Sequence, residues 1–158
     1  MSRYKVDIKW GIIFTVVAIL WMAIERLAGL HSDHIDQHAL YSNFFGIAAI
    51  AVYVFAVRDK KANHFDGQMS YKQGFICGLV VTLVAAILAP LSQYLSVSVI
   101  SPNYFANMIA YTVSEGVKTQ TEAEDFFNLK AYITMAVPMV IGAGTLTSAV
   151  VAIFLRTK

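Results

Sequence analysis

Cysteine and charged residues are both scarce in this sequence. A single cysteine, Cys77, excludes an intrachain disulfide, a paired redox-active motif and a four-cysteine zinc site. Only 14% of the 158 residues are charged, whereas soluble domains carry about 25%. Because 58% of the residues are hydrophobic, the composition excludes an ordinary water-soluble globule and intrinsic disorder.

Four long apolar runs account for this composition. A membrane helix needs about 20 mostly apolar residues to cross a hydrocarbon layer about 30 Å thick. The four runs cover residues 10–30, 39–57, 74–97 and 132–155. We therefore predict one all-α integral membrane domain over residues 1–158, a four-helix bundle whose first run is an uncleaved span. Residues 98–130 are predicted to form a short helical cap on the outer side.

Lysine and arginine are divided unequally between the two ends of the predicted spans. The side that holds both termini and the loop 58–73 has nine of the twelve, including Arg3 and Lys158. Because basic loops stay in the cytoplasm, we predict that both termini are cytoplasmic. The lipid bilayer is the predicted partner, with a second copy or another membrane protein as further candidates. No sizeable basic patch supports nucleic-acid binding.

Small residues recur at a spacing of four in the third and fourth runs. The rows are Gly74, Gly78, Thr82, Ala86 and Pro90 in the third run, and Gly144, Ser148 and Ala152 in the fourth. Residues four apart lie on one helix face, and membrane helices associate where small residues let them approach closely. We predict an intrachain packing seam between these rows, with a homodimer face as the alternative.

Three of the four histidines lie in the loop between the first two runs, with two aspartates. If the second helix begins near Asp33, then His34 and His38 lie one turn apart on one face. Imidazoles and carboxylates are ligands of Zn²⁺, so His31, His34, His38 and Asp33 form a candidate metal site. The spacing matches no established zinc motif, and Asp33 is equally a candidate helix N-cap. We therefore expect no stoichiometric zinc in this short, exposed loop.

Glu25 and Arg26 are the only charged residues inside the first run. Ionisable residues within membrane spans are functional candidates by default, which makes this pair a candidate intramembrane polar site. Their place near the outer end also suits a topology anchor, with Arg26 extending to the interface. A proton- or cation-coupled role for Glu25 is the alternative to anchoring.

Residues 98–130 carry helix start and stop signals. The pair Ser101-Pro102 is typical of a helix start, and Gly116 is typical of a helix end. Thr121 followed by Glu124 predicts a capping box, and its helix is expected to continue into the fourth run. The segment is predicted to be structural, with a partner surface as a second role.

Several segments resemble a known family. They are Trp21–Arg26 with Gly29-Leu30-His31, Met69–Phe75, Pro102–Phe105 and Glu122–Phe127. Over essentially its whole length the chain is similar to small bacterial inner-membrane proteins with four helices, catalogued only as a domain of unknown function. The resemblance implies a four-helix fold in the bacterial inner membrane. It implies no reaction, cofactor or ligand set.

No phosphate-binding loop, nucleophile elbow, catalytic triad or dinucleotide fingerprint appears. The leading prediction is a non-enzymatic structural or interaction component of the membrane, without a cofactor. The second is a small oligomeric transporter or channel subunit that uses Glu25. The third is a metal-binding membrane protein, or a metal-dependent enzyme, built on the loop from His31 to His38. A dry, tightly packed bundle would favour the structural component. A water-accessible cavity at Glu25 would favour the transporter, and ligands that converge in space would favour the metal-binding protein.

Overall fold

Long helices dominate the computed structural model, which describes residues 4–157 of the chain. The long helices are α1 (Lys5–Leu27), α3 (Phe45–His64), α4 (Tyr71–Tyr94) and α7 (Leu129–Leu155). The shorter elements are a 3₁₀ turn (Ile35–Gln37), α2 (His38–Ser42), a π-helical turn (Leu95–Ile100), α5 (Tyr104–Ser114) and α6 (Gln120–Phe126). Four helical stretches are long and apolar enough to cross a membrane, and residues 4–157 include no strand. The predicted all-α bundle is confirmed; Arg3 and Lys158 lie outside the described residues.

Helix bounds differ from the apolar runs because polar residues also take helical conformation near the termini. α1 begins at Lys5, five residues before the first apolar run. α4 begins at Tyr71 because Ser70 and Gln73 form a capping box, with Ser70 N donating to Gln73 Oε1 at 2.8 Å. The second run is divided, since α2 ends at Ser42 and α3 begins at Phe45.

The two rows of small residues meet where α4 packs on α7. Three glycine contacts form this seam, pairing Gly74 with Ala152, Gly78 with Ser148 and Gly144 with Thr82. A Cβ atom added at Gly78 would overlap the Ser148 side chain, and one at Gly144 would lie 2.5 Å from Thr82 Oγ1. Ser148 is fully buried and Ala86 is 4% exposed. The rows therefore pack against each other within the chain, as the intrachain seam requires.

A buried ion pair joins α1 to α3 at the end of the bundle nearest the termini. Lys60 Nζ donates to Asp7 Oδ2 at 2.7 Å, and the two residues are 4% and 1% exposed. Beside this pair, Asp59 accepts hydrogen bonds from Lys9 and from Trp10 Nε1, the latter at 2.7 Å. Opposite charges in contact compensate one another, so this end of the bundle is held by a neutral polar cluster.

The outer cap uses its helix signals differently from the prediction. α5 begins at Tyr104 with Asn103 at the N-cap position, two residues after the expected cap at Ser101. The Ser101 hydroxyl instead contacts the His31 ring across the bundle. Gly116 follows α5 with a φ of +67°, as expected for a residue that ends a helix.

The capping box of α6 lies two residues before the predicted one. Glu122 N donates to Thr119 Oγ1 and Thr119 N donates to Glu122 Oε2, at 3.3 and 2.8 Å. The hydrogen bonds that Thr119 N and Thr119 Oγ1 donate to Glu122 Oε2 lower the pKa of the Glu122 carboxyl. The predicted continuous helix into the fourth span is wrong, because α6 ends at Phe126 and Asn128 caps a new helix at Ala131 N. Thr119 with Glu122 and Thr121 with Glu124 both fit the Thr-x-x-Glu pattern, so the sequence alone does not show which pair forms the capping box.

Candidate metal centre

The outer end of α1 folds the chain back onto Glu25. Leu30 N donates to Glu25 O and Gly29 N donates to Arg26 O, both at 3.0 Å. This pair of hydrogen bonds is the Schellman pattern that ends many helices. Gly29 has a φ of +79°, in the left-handed region that favours glycine. The turn thereby returns His31 to the side of α1 that carries Glu25.

The Glu25 carboxylate is buried and its two oxygens have different neighbours. Glu25 is 4% exposed. Its Oε1 accepts hydrogen bonds from Trp21 Nε1 at 2.8 Å and from Ser42 Oγ at 2.6 Å. Its Oε2 faces the Nε2 atoms of His31 and His38. Two donors therefore orient the carboxylate and leave one oxygen directed at two imidazoles.

The three groups converge at separations that suit a shared cation. Glu25 Oε2 lies 3.4 Å from His31 Nε2 and 3.7 Å from His38 Nε2. One ligand atom from each residue lies within 4.8 Å of the other two. Hydrogen bonds between N and O are normally about 2.7–3.2 Å long, so His31 forms a long hydrogen bond with Glu25, and the His38 contact is longer still. A tetrahedral ion with ligand bonds of about 2.0–2.2 Å separates its ligand atoms by about 3.3–3.6 Å.

Neighbouring residues fix the His31 ring. Its Nδ1 lies 2.9 Å from Ser101 Oγ, and Asn107 Nδ2 donates to the His31 carbonyl at 2.6 Å. When Nδ1–H donates to Ser101, the Nε2 lone pair points at Glu25, which is the tautomer that binds a metal. The Tyr104 ring packs 4.9 Å from the His31 ring and 5.4 Å from the His38 ring, centre to centre. Burial raises the pKa of Tyr104, so its phenol stays neutral.

The structure divides the predicted loop residues into two groups. His31 and His38 join the cluster, whereas Asp33 and His34 are exposed and lie outside it. A Cβ atom added at Gly29 would lie 3.1 Å from His34 Cδ2, so the His34 ring covers the turn. The 3₁₀ turn starts at Ile35 without a side-chain cap, which corrects the predicted cap at Asp33. The candidate ligands predicted from the loop alone are therefore replaced by the set of Glu25, His31 and His38.

The predicted pair of Glu25 and Arg26 is also divided. Arg26 is exposed, consistent with a side chain that reaches the interface. Glu25 is buried among donors, so an anchor exposed at the membrane surface does not describe it. The packing residues Gly74, Gly78, Thr82, Ala86, Gly144 and Ser148 lie in the seam and contribute no atom to the cluster.

Several residues that support the cluster were not singled out from the sequence. Trp21 and Ser42 are each one helical turn from a cluster residue, Glu25 and His38, so helical spacing would have found them. Ser101 lies 70 residues from His31, and Asn107 lies 76 residues from it. No local pattern connects residues so far apart in the chain.

Residues 9–157 match the family described as Protein of unknown function (DUF4199). The chain belongs to the DUF4199 family. The match includes all three cluster residues, Glu25, His31 and His38. Comparison of this DUF4199 protein with curated proteins and with solved structures gives no match in either set. The family description names no activity, so the geometry of the cluster carries the functional argument.

Proposed function

We propose that this DUF4199 protein binds one divalent transition-metal ion, of the Zn²⁺ class, through Glu25, His31 and His38. The observation that carries the proposal is the convergence of a carboxylate oxygen and two imidazole nitrogens, all within 4.8 Å of one another, at a largely buried place. One carboxylate and two imidazoles form an established ligand set for Zn²⁺. The fourth coordination position is left for water or another small ligand.

A structural role for the ion agrees with the elements that the ligands join. Glu25 lies in the last turn of α1, and His38 begins α2. His31 is held from the outer cap by Ser101 and Asn107. An ion bound to all three ligands would fasten these elements at one point. We therefore propose a non-enzymatic membrane component whose outer end is closed by metal.

Transport through the bundle receives less support from the cavities. The larger cavity is lined by residues of α1, α3, α4 and α7, and Glu25 does not line it. The smaller one is lined by Ala28, Leu30, His34, Gln37 and Tyr41. A transporter or channel subunit that uses Glu25 requires a water-accessible path to that carboxylate. Metal binding needs no such path, so we favour it.

The proposed location is the bacterial inner membrane, with several spans and both termini cytoplasmic. The excess of lysine and arginine on the side of the termini supports this orientation. It places the metal centre on the side of the membrane away from the cytoplasm. Lipid is the proposed partner; association with another membrane protein would use the lipid-facing surface, since the seam is occupied.

Cysteine labelling in intact cells tests the orientation. Ser114, Gln120 and Asn63 are exposed, and the native Cys77 is buried, so single introduced cysteines report their own side. A membrane-impermeant maleimide should label Ser114→Cys and Gln120→Cys in intact cells. Asn63→Cys should react only after the inner membrane is opened. Labelling of Asn63→Cys in intact cells would show that the orientation is the opposite of the proposed one.

Elemental analysis of the purified protein tests metal binding. The full chain in detergent is loaded with zinc, passed through a desalting column and measured for zinc per chain. We expect a stoichiometric amount in the wild type and its loss in His31→Ala and His38→Ala, because each change removes a ligand.

His34→Ala is the matched control, since it removes the same side chain from the same loop at an exposed position. It should keep the zinc of the wild type. Equal loss of zinc in His34→Ala and His31→Ala would return the site to the exposed loop. Absence of zinc from the loaded wild type would overturn metal binding altogether.

A further inference from the structure

A partly open cavity of about 380 Å³ lies between α1, α3, α4 and α7. Its lining is mostly apolar and includes small residues, among them Gly46, Ala49 and Ala143. It shares no lining residue with the metal centre. The cavity is thus a second feature of the bundle, independent of the proposed metal.

The cavity opens between α3 and α7. Its exposed lining residues are Gly46 and Ile50 on α3, and Met139 and Ala143 on α7. Ile50 is 51% exposed and Met139 is 70% exposed. Both helices belong to stretches long and apolar enough to cross a membrane. The opening therefore faces the hydrocarbon layer, and hydrocarbon is what can enter it.

The size of the cavity suits a flexible hydrocarbon chain. An apolar cavity of about 150 Å³ in a protein core stays dry and takes up benzene. Pockets that bind small molecules have volumes of about 300–1,000 Å³. A volume of about 380 Å³ is therefore large enough for a sizeable apolar ligand.

Two polar side chains on the last turn of α4 also line the cavity. They are Ser92 and Gln93, close to the outer end of that helix at Tyr94. Among the described residues, Thr15 and Tyr53 in the same lining are hydrogen-bonded, whereas the side chains of Ser92 and Gln93, and of Thr147 on α7, have no hydrogen-bond partner. A polar side chain without a partner is costly in hydrocarbon, so an occupant with a polar group at one end would satisfy it.

We propose that the cavity binds one acyl chain of a membrane amphiphile, with Ser92 and Gln93 hydrogen-bonding its ester or carboxyl group. The apolar lining holds the chain, the opening admits it from the bilayer, and the two polar residues set its direction. A phospholipid and a free fatty acid share this chemistry. The proposal does not depend on metal binding.

Electron paramagnetic resonance of the full chain in detergent tests the proposal. The probes are spin-labelled stearic acid and a spin-labelled phosphatidylcholine, each added to the purified protein. We expect an immobilised component that saturates at equimolar probe. Its appearance with stearic acid alone assigns the ligand as a fatty acid, and its appearance with phosphatidylcholine assigns a phospholipid.

Two glycines give matched variants. A Cβ atom added at Gly46 or at Gly142 meets no atom within 4 Å, but only Gly46 lines the cavity. Gly46→Leu should abolish the immobilised component, and Gly142→Leu should keep it. Ala143→Leu fills the cavity from the opposite helix and should act like Gly46→Leu, with helical content checked by circular dichroism.

Three results would overturn the proposal. They are no immobilised component with either probe, an immobilised component that survives in both cavity-filling variants, and a dimer that Gly46→Leu converts to monomer. The last result would assign the opening to a second copy of the chain.

Discussion

α1 carries a buried acid near each end, and the two acids have different partners. Asp7 meets the Lys60 ammonium at 2.7 Å, so a permanent cation faces the carboxylate. Glu25 meets two imidazoles at 3.4 and 3.7 Å and accepts hydrogen bonds from Trp21 and Ser42. An imidazole, unlike the Lys60 ammonium, carries a positive charge only when it is protonated.

Asp7 Oδ2 has a lysine as its charge partner, and Asp7 Oδ1 has no hydrogen-bond partner among the described residues. Both oxygens of Glu25 have partners, and in residues 4–157 none of these is a lysine or arginine. A buried ion pair is neutral as built, and removing either partner leaves a buried charge. The Glu25 cluster combines a buried carboxylate with two imidazoles, each of which can donate a nitrogen lone pair. A divalent cation bound to all three would balance the carboxylate charge and accept both lone pairs. The Asp7 end of α1, which is the inner end in the proposed orientation, therefore belongs to structure. The Glu25 end, the outer one, is where we place the ligand chemistry.

Removing the cation at the inner end should have the largest effect. Lys60→Met leaves the Asp7 carboxylate buried without its charge partner, and breaking a buried pair costs about 3–5 kcal/mol. Unfolding of the full chain in detergent should show this loss, and the double change with Asp7→Asn should recover most of it. His38→Ala in metal-free protein should cost less. If His38→Ala costs as much, the two ends are not different in kind.

Zinc should stabilise the protein through the outer end alone. A ligand present at 100 times its dissociation constant adds about 2.7 kcal/mol of stability. The melting temperature of the wild type and of Lys60→Met should both rise with zinc, whereas Glu25→Gln should not respond. Magnesium, which prefers an octahedral shell of oxygen ligands, serves as the control ion and should have little effect. A zinc response in Glu25→Gln would move the site elsewhere.

A seam variant should destabilise the bundle without touching the metal. Gly78→Leu pushes its side chain into Ser148, and over-packing costs typically about 1–3 kcal/mol. Leu79→Ile, at the neighbouring position, should change the melting temperature little. The zinc content of both variants should equal that of the wild type. An unchanged melting temperature in Gly78→Leu would show that α4 and α7 do not pack closely there.

The smallest effect is expected in the outer cap. Hydrogen bonds from Thr119 lower the pKa of Glu122 below its ordinary value of 4.5. The ionised carboxylate therefore contributes stability above pH 4.5, and that contribution is lost as the pH falls through the lowered value. Glu122→Gln should reduce the acid dependence of melting, while Glu124→Gln on the same helix should not. Equal effects of both changes would contradict the assignment.

The helices could be predicted from the sequence because lipid imposes a simple rule. An apolar run of about 20 residues has few alternatives to a membrane helix, and small residues spaced by four mark close packing. The bounds of the helices were less predictable, since the charged residues in the segments 5–9 and 58–64 are also helical. Backbone hydrogen bonding continues a helix past the hydrocarbon edge, and composition does not record where it stops.

The cluster of Glu25, His31 and His38 could be predicted in part. The concentration of histidines indicates the loop that supplies two of its members, but the helical pair of His34 and His38 predicted from spacing does not form, since His34 is exposed. The backward turn at Gly29 decides the ligand set, because it brings His31 to Glu25. Glu25 and the histidine loop were two separate candidates in the sequence, and folding joins them into one.

X-ray absorption spectroscopy at the zinc edge of the loaded full chain tests the metal centre most directly. If zinc is bound by Glu25, His31 and His38, the spectrum should show a shell of nitrogen and oxygen at about 2.0–2.2 Å, with the outer-shell scattering of two imidazoles. Loss of one imidazole in His31→Ala, with no change in His34→Ala, would complete the assignment. A shell of oxygen atoms without imidazole scattering, or a sulfur ligand at about 2.3 Å, would contradict it.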